Sequence, residues 1–205
     1  YIYDTEPTKL TKQIEKITNY KIRKQNLADE ILRIEKSDLD DADKERRVKK
    51  LKKRYTIGKV KFDSIIISDF DESLKSVVTS LLYTDVSPKK KYFITLNQWF
   101  DESLLNETSS QPLYFPSINK KNYEDFSSEY FIRFNQYPNQ LSFLSFDLVG
   151  LVYYLILQNN SIVDKKMFKK KNLFKGKIGI FEIKNNKINH ILNFYKVEDG
   201  EFKKV

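Results

Sequence analysis

Apolar residues recur every three or four positions between Thr8 and about Lys36, which is the spacing of an amphipathic helix. The residues that set this period are Leu10, Ile14, Ile17, Leu27, Ile31 and Ile34. The pattern predicts one long helix, interrupted near Tyr20, with Thr5 as its N-cap and Pro7 in its first turn.

A second helical pattern runs from about Asp41 to Tyr55. It is heavily charged and has only a thin apolar stripe, formed by Val48 and Leu51. Together with the first helix it predicts a helical hairpin, at about residues 20–57, that projects from a core into solvent.

The middle of the chain has a different period. Short apolar runs predict three strands: "FDSIIISD" from Phe62, "KKYFITLNQW" up to Trp99, and "PLYFPSI" from Pro112. The stretches "DESLKSVVTSLLY" and "DESLLNE" predict helices between these strands. Alternating strands and helices are typical of a parallel α/β lobe, and the β-branched "SIII" run indicates a buried strand. We therefore predict the α/β fold class with flanking helices.

The remaining segments predict helices and then strands. Tyr123 to Asn135 and about Leu141 to Gln158 predict two helices separated by Pro138, followed by a short helix around Asp164 to Lys170. The runs "GKIGIFEI", "INHILNFYKV" and "EFKKV" predict strands joined by hairpin turns at "KNNK" and "EDG". Another short strand is predicted at the start of the chain, Tyr1 to Tyr3.

The run "LSFLSFDLVGLVYYLIL", from Leu141 to Leu157, is apolar almost throughout, so a membrane span and a core helix are the alternatives. Its seventeen residues make about 25 Å of helix, less than the roughly 30 Å of a bilayer's hydrocarbon core. Asp147 and Gly150 disfavour a span further. We predict no transmembrane span in this chain but a helix buried on most sides, with Asp147 hydrogen-bonded rather than catalytic.

The composition restricts the chemistry. The 205 residues include no cysteine and one histidine, His190, which excludes disulfides, thiolate metal sites and multi-histidine sites. The sequence has no phosphate loop, glycine-rich nucleotide turn or nucleophile elbow. Acid–base chemistry at Asp69, Asp71 and Glu72 is an alternative, but their place after a strand favours a helix N-terminus. We predict a protein that is not an enzyme, with no metal, no cofactor and a structural His190.

The net charge of +9 at pH 7 suits nucleic acid, anionic lipid or a polyanionic polymer, and it also arises from a Lys- and Asn-rich composition alone. The densest basic run, Lys44 to Arg54, is either a solvated helix face or a partner-binding face. The candidate partner-binding residues are Arg46, Arg47, Lys50, Lys53 and Arg54. Only one aromatic residue, Tyr55, lies beside this run, so we predict no nucleic-acid partner.

A candidate ligand site follows from the ends of two predicted strands. Asp69 and Phe70 follow the first strand, and Asn97, Gln98 and Trp99 end the second. Because parallel α/β sheets bind ligands at the carboxyl ends of their strands, we predict these five residues as the wall of a small-ligand site. The alternative is that Trp99 anchors the helix that follows it.

Several stretches resemble one bacterial family. "FDSI", "LLYTDV" and "WFDESLL" are similar to the "FDAV" strand, the "L-x-Y-x-D-V" stretch and the Trp-Asp-x-x-x-L segment of penicillin-binding protein activators. "RFNQYPNQLSFLSFDLVGLVYYL" and "FKGKIGIFEIKNNKI" resemble later segments of that family, although "SFDLVGL" is bulkier here. The stretch from Val60 to Leu105 resembles the second lobe of type I periplasmic binding proteins of the leucine/isoleucine/valine-binding-like group, and within that group it looks most like these activators.

The resemblance implies an arrangement in lobes. Residues 1–118 form the second α/β lobe with the helical hairpin inserted at about 20–57. Residues 119–172 are helices that belong to or pack on the first lobe, and 173–205 return to the second lobe as strands. Most of the first lobe is then expected upstream of Tyr1, and Asp147 is expected to have an interlobe structural role.

The resemblance also implies a function and a compartment. It implies a non-enzymatic periplasmic module that regulates peptidoglycan synthesis by binding an envelope protein, such as a penicillin-binding protein. A lipid anchor to the outer membrane would lie upstream of Tyr1. The alternative is a solute-binding protein for an amino-acid-like ligand of an ABC transporter, whose cleft contacts fall on Phe70 and on Gln98 or Trp99.

Overall fold

The computed structural model describes residues 2–4, 6–169 and 171–205. The chain divides into two compact units. The first comprises Tyr1–Leu96 and Glu107–Leu113, and the second comprises Asn97–Asn106 and Tyr114–Val205. The assignment of residue ranges to two lobes, which the resemblance implies, stays a prediction.

The first unit begins with two helices rather than one. Helix α1 (Pro7–Ile17) and helix α2 (Tyr20–Glu35) are separated at Asn19, whose φ of 52° lies in the left-handed region. The break near Tyr20 was therefore predicted correctly, because Asn tolerates this backbone conformation better than most residues. Glu6 caps α1 by accepting a hydrogen bond from the Thr8 N–H (3.1 Å).

Two predictions at the N-terminus fall on residues outside the described part of the chain. These residues are Thr5, the predicted N-cap, and Tyr1, the first residue of a predicted strand. The described residues 2–4 form no strand.

The predicted helical hairpin is formed by α2 and α3 (Asp41–Leu51), which pack against each other. Asp40 caps α3 by accepting a hydrogen bond from the Asp43 N–H (2.7 Å). Val48 is the single buried residue of α3, so the apolar stripe is as thin as the sequence predicts.

A buried arginine fixes the base of this hairpin. The Arg23 guanidinium on α2 donates hydrogen bonds to the Thr84 carbonyl (3.0 Å) and to Thr56 Oγ1 (2.7 Å). It also forms an ion pair with Asp85 (3.7 Å), which in turn accepts a hydrogen bond from Thr56. The Arg23 carbonyl accepts from the Ile57 N–H (3.0 Å), so one residue joins α2 to the segment after α3.

The α/β part of the first unit contains strands β1 (Ser64–Ile67) and β2 (Tyr92–Thr95), which pair in parallel with α4 (Asp71–Tyr83) between them in sequence. A 3₁₀ turn at Thr108–Ser110 packs near α4. The prediction that β1 is a buried strand is wrong, because β1 is an edge strand and Ile66 is 69% exposed. Apolar residues alone do not reveal whether a strand has a neighbour on both sides.

The second unit contains two further long helices and most of the remaining strands. Its helices are α5 (Ser103–Asn106), α6 (Lys120–Phe134) and α7 (Gln140–Gln158), followed by a 3₁₀ turn at Lys165–Phe168. Its strands are β3 (Leu113–Ser117), which begins at the unit boundary, β4 (Asn172–Lys175), β5 (Ile180–Lys184), β6 (Lys187–Ile191), β7 (Asn193–Glu198) and β8 (Glu201–Lys204).

These strands lie in two sheets. One runs in the order β3–β7–β8, with β7 and β8 antiparallel, and the other is an antiparallel sheet in the order β4–β5–β6. The turns predicted at "KNNK" and "EDG" are confirmed: Asn185 and Asn186 have φ of 52° and 61°, and Asp199 and Gly200 have 56° and 72°. Positive φ at both central residues is what a tight hairpin turn requires.

The single strand predicted in "INHILNFYKV" is wrong, because the segment divides at Leu192 into β6 and β7 of different sheets. Strand β4 was also not predicted as a separate strand. The fold class itself is confirmed as α/β, since a sheet containing a parallel pair is flanked by helices.

Phe100 lies at the centre of the aromatic core of the second unit. Its ring meets those of Phe115 (5.8 Å between centroids), Tyr195 (5.0 Å) and Phe202 (5.4 Å) nearly edge to face. Such edge-to-face contacts add to the free energy gained by burying the rings.

Candidate functional site

The predicted ligand residues of the first unit lie at the start of α4. Phe70 is the residue before the helix and is partly exposed, and Asp71 and Glu72 form its first turn as predicted. Burial raises the pKa of Asp69, and the Asp69 carbonyl accepts a hydrogen bond from Thr95 Oγ1 (3.3 Å). Negatively charged side chains at a helix N-terminus interact favourably with the helix dipole, so the position of these acidic residues is explained without catalysis.

The predicted ligand residues of the second unit lie in a tight turn. Gln98 is buried, and Asn97 Oδ1 accepts a hydrogen bond from the Trp99 N–H (3.0 Å). Trp99 and Phe100 both have left-handed φ values, 51° and 57°. Two consecutive bulky residues in this region are unusual and require support from their surroundings. Here the Asn97 bond and the packing of both rings supply that support.

Trp99 lines a pocket of about 470 Å³ that we call the Trp99 pocket. Its other lining residues are Tyr123, Pro138, Asn139, Gln140, Leu141 and Phe143. The Trp99 ring packs on Phe143 (5.6 Å between centroids), and Tyr123 stacks on the same phenylalanine (4.9 Å). Burial raises the pKa of Tyr123. The volume is within the range of small-ligand sites, but Asn97 and Gln98 are not among the lining residues that the structure describes.

Asp147 of α7 is buried and fully satisfied by backbone groups. The side chain is 2% exposed and accepts hydrogen bonds from the N–H groups of Lys177 (2.8 Å), Ile178 (3.0 Å) and Gly179 (3.2 Å). All three donors belong to the same unit as Asp147. This arrangement holds the loop before β5 against α7, and the predicted interlobe role stays a prediction.

Two glycines beside Asp147 give the loop room to approach. A Cβ at Gly176 would overlap the Asp147 carboxylate, and a Cβ at Gly179 would overlap the His190 imidazole. His190 stacks on Phe181 (4.3 Å between centroids), which fits the structural role predicted for it. Burial lowers the pKa of His190, and the negative charge of Asp147 acts in the opposite direction.

Within residues 2–4, 6–169 and 171–205, no three Asp, Glu or His side chains are grouped so that they could hold a metal ion.

The predicted basic residues of α3 and the turn after it are all exposed: Arg46, Arg47, Lys50, Lys53 and Arg54. Arg46 forms an exposed ion pair with Asp43 (2.9 Å). Lys49 lies on the same side of the helix and was not among the predicted residues.

The buried side of α7 is a single stripe, contrary to the prediction of a helix buried on most sides. The stripe consists of Phe143, Asp147, Leu151 and Leu155, each one turn apart. Large apolar residues on the other sides are exposed, including Leu141, Leu148, Val149, Tyr153 and Leu157. The all-round hydrophobicity of the sequence therefore predicts the helix but not which of its sides has a neighbour.

Helices α6 and α7 form an elongated groove of about 930 Å³, which we call the α6–α7 groove. Its apolar lining includes Phe126, Tyr130 and Ile132 of α6 and Phe146, Val149 and Tyr153 of α7. Ile132 is 84% exposed and Val149 is 70% exposed. The expectation that residues 119–172 belong to or pack on another lobe implies an apolar surface on these helices, but the residues of the groove were not predicted. The signal for them in the sequence is the aromatic spacing of Phe126, Tyr130 and Phe134.

Charged groups lie along the groove. Lys177 pairs with Glu129, and its ammonium lies over the Phe146 ring (5.9 Å). Arg133 is exposed and forms no ion pair with any residue that the structure describes. The groove thus has an apolar floor and one unpaired positive charge.

Within the described residues, one helix, Gln140–Gln158, is long and apolar enough to cross a membrane when judged by length and composition. Helices in the cores of globular proteins satisfy the same measure. If α7 crossed a bilayer, the loop bound to Asp147 would lie near mid-membrane, where lipid-exposed irregular backbone is strongly disfavoured. The packing of α7 therefore disfavours a span, and the absence of one stays a prediction.

No family model matches the chain, and no curated protein matches it significantly. Among solved structures, an extracellular ligand binding receptor from Desulfohalobium retbaense DSM5692 is similar, with 15% identity and a TM-score of 0.49 over 70% of this chain and 26% of that one. Full-length LpoA from Haemophilus influenzae has 14% identity and a TM-score of 0.44 over 69% of this chain and 25% of that one.

Both likenesses have low sequence identity and a TM-score below 0.5. The chain spans about a quarter of the length of each of these two proteins.

Proposed function

We propose that this chain is a non-enzymatic module of the bacterial periplasm that binds a partner protein through the α6–α7 groove. The observation that carries the proposal is the exposed apolar lining of the groove. Exposed apolar side chains that adjoin one another and have charged residues beside them are a feature of interaction sites. The exposed sides of α2 and α3 are mainly charged and polar and form no comparable apolar surface.

The dimensions of the groove support an α-helix as the occupant. Its lining extends over eight residue steps of α6, from Phe126 to Phe134, and over eleven steps of α7, from Ser142 to Tyr153. At 1.5 Å per residue these lengths correspond to about 12 and 16 Å, which fits a partner helix of about three turns. Recognition would then follow the helix-in-groove mode, with apolar anchors every three or four residues.

The unpaired Arg133 specifies one further property of the occupant. A partner helix that buries its apolar face against the groove would place an acidic residue opposite this guanidinium. Such complementarity fixes orientation and excludes wrong partners more than it adds affinity. We propose an amphipathic helix with an acidic residue on the edge of its apolar face.

The sequence resemblance supports an envelope protein as the source of this helix, in particular a penicillin-binding protein. The role would be regulation of peptidoglycan synthesis. Binding, rather than catalysis, would be the whole contribution of this chain.

A titration with the purified periplasmic domain of a penicillin-binding protein from the same organism tests the proposal. The double variant Ile132→Glu/Val149→Glu places two charges in the groove and should weaken binding at least tenfold, because each charge would be desolvated. The control Ile22→Glu changes an apolar residue on α2 that is 62% exposed and should bind like the unmodified protein. Equal affinity of the double variant and the unmodified protein would refute the groove as the interface.

The Trp99 pocket supports a second candidate function, the binding of an amino-acid-like solute. Trp99 is the sole tryptophan, so a ligand that enters the pocket should change the intrinsic tryptophan fluorescence. A ligand at 100 times its dissociation constant should also raise the free energy of unfolding by about 2.7 kcal/mol. A panel of amino acids that changes neither signal rejects this candidate.

A further inference from the structure

The net positive charge of the protein is concentrated in one segment. Residues 44–61 contain ten Lys or Arg residues and one Glu, which leaves 27 basic and 27 acidic residues for the other 187 positions. The segment alone therefore accounts for the whole net charge of +9. A Lys-rich composition would distribute this excess along the chain, so composition does not explain its position.

Most of these charges lie on one side of α3. At 100° per residue, four basic residues of α3 fall within roughly 80° of the direction opposite the buried Val48, and two more follow the end of the helix. They are Arg46, Arg47, Lys49, Lys50, Lys53 and Arg54, which we call the outer face of α3, and all six are exposed.

The backbone continues the helical path past the end of α3. The Lys52 N–H donates to the Val48 carbonyl (2.8 Å), and the Arg54 N–H donates to the Leu51 carbonyl (2.8 Å). The second bond spans three residues, as in a turn, and it keeps Lys53 and Arg54 next to the last turn of α3. Arg46 pairs with Asp43 at the N-terminal end of the face, and the other five residues form no ion pair with any residue that the structure describes.

The outer face has an exposed aromatic residue at its end. Tyr55 follows Arg54 directly and is 75% exposed. Tyrosine rings are favoured at the boundary between water and lipid headgroups, where the ring and the hydroxyl both find suitable surroundings.

We propose that the outer face of α3 holds the protein against an anionic lipid bilayer. The face is the convex side of a helix, and it presents an array of like charges rather than a groove that could read the shape of a partner. A bilayer supplies many mobile negative headgroups, which match such an array without a specific fit. Clusters of four to eight basic residues on a helix bind anionic membranes in this way.

Co-sedimentation of the full chain with vesicles tests the proposal. Phosphatidylcholine vesicles with about 30% phosphatidylglycerol should bind the protein at least tenfold more tightly than pure phosphatidylcholine vesicles. Lys50→Gln/Lys53→Gln should lower the affinity for the anionic vesicles roughly 30-fold, because each lysine near the surface contributes roughly fivefold. Lys50→Arg/Lys53→Arg keeps the charge and should bind like the unmodified protein.

A matched control separates the outer face from net charge alone. Lys121→Gln/Lys187→Gln removes two exposed lysines of the second unit and should leave vesicle binding unchanged. Equal loss in the control and the Lys50/Lys53 variant would overturn the proposal, as would equal binding to neutral and anionic vesicles. Tighter binding to a DNA duplex or to polyglutamate than to the anionic vesicles, at the same salt concentration, would overturn it in favour of those partners.

Discussion

Helix α2 of the first unit and helix α7 of the second unit each bury one charged side chain and leave much of their surface exposed. Arg23 of α2 donates to backbone carbonyls and to Thr56, whereas Asp147 of α7 accepts from three backbone N–H groups. The exposed surface of α2 is mainly polar, but that of α7 is mainly apolar. A buried charged side chain therefore holds each helix in place through hydrogen bonds. Only α7 also has an exposed apolar surface that a partner protein could bury.

Removal of the Asp147 carboxylate should have the largest effect on stability. Asp147→Ala leaves three backbone N–H groups without their acceptor and should lower the free energy of unfolding by about 3–5 kcal/mol. Asp147→Asn should lower it less, because one side-chain oxygen can still accept. Urea denaturation measures both variants, and an unchanged midpoint for Asp147→Ala would show that Asp147 does not hold α7 in place.

Loss of the Arg23 guanidinium should have the next largest effect. Arg23→Met keeps the apolar stem but leaves the Thr84 carbonyl and Thr56 without their donor, and should cost about 2–4 kcal/mol of unfolding free energy. Arg33→Met on the same helix removes an exposed arginine that pairs with Glu30, and should cost less than about 0.5 kcal/mol. Equal stabilities of the two variants would show that the hydrogen bonds of Arg23 do not stabilise the base of the helical hairpin.

Gly176 should be sensitive to a single methyl group. Gly176→Ala places its Cβ against the Asp147 carboxylate and should lower the free energy of unfolding by about 1–3 kcal/mol. Gly150 on α7 is the matched control, since its added Cβ would only touch Phe174 at 3.4 Å. Gly150→Ala should be neutral or stabilising, because alanine favours the helix by about 1 kcal/mol over glycine. Thermal denaturation should show a lower melting temperature for Gly176→Ala and an unchanged or higher one for Gly150→Ala.

A smaller effect is expected from pH. Burial lowers the folded-state pKa of His190 below its unfolded value near 6.5, so the unfolded state binds the proton more readily. The stability that comes from the neutral imidazole should therefore be present above about pH 6.5 and be lost as the pH falls below it. The melting temperature of His190→Gln should decrease less between pH 7.5 and 5.5 than that of the unmodified protein. Equal decreases would contradict this role of His190.

The smallest effect on stability is expected on the open side of α7. Ile132→Glu and Val149→Glu change exposed residues and should each alter the free energy of unfolding by less than about 0.5 kcal/mol. A larger loss, measured by denaturation of the isolated chain, would mean that these side chains stabilise the fold rather than bind a partner.

Local chemistry explains which parts of the fold the sequence predicts. The Asn and Gly residues of the two hairpin turns and Asn19 at the helix break tolerate positive φ, so their positions could be predicted from residue type. Helix α7 was predicted from its length and apolar character. The sequence does not show whether an apolar side chain of this helix is buried, because burial depends on which segments pack against it. The exposed sides of α7 were therefore predicted wrongly.

The same reason limits prediction of the site. Arg23 resembles any surface arginine in the sequence, because its partners Thr56 and Thr84 are 33 and 61 positions away. Trp99 was predicted to line a ligand site and does line a pocket, but its neighbours come from α6, α7 and the turn between them rather than from strand ends. Contacts between distant segments depend on tertiary packing, which the period of apolar residues does not encode.

Site-specific crosslinking tests the central claim, that the α6–α7 groove holds a partner helix, most directly. A photo-reactive amino acid replaces Val149 in one variant and Ile22, which is 62% exposed, in another, and each is irradiated with the purified periplasmic domain of a penicillin-binding protein. We predict that position 149 crosslinks to one amphipathic helix carrying an acidic residue, identified by mass spectrometry, and that position 22 does not. Crosslinks of equal yield from both positions, or none from position 149, would contradict the account.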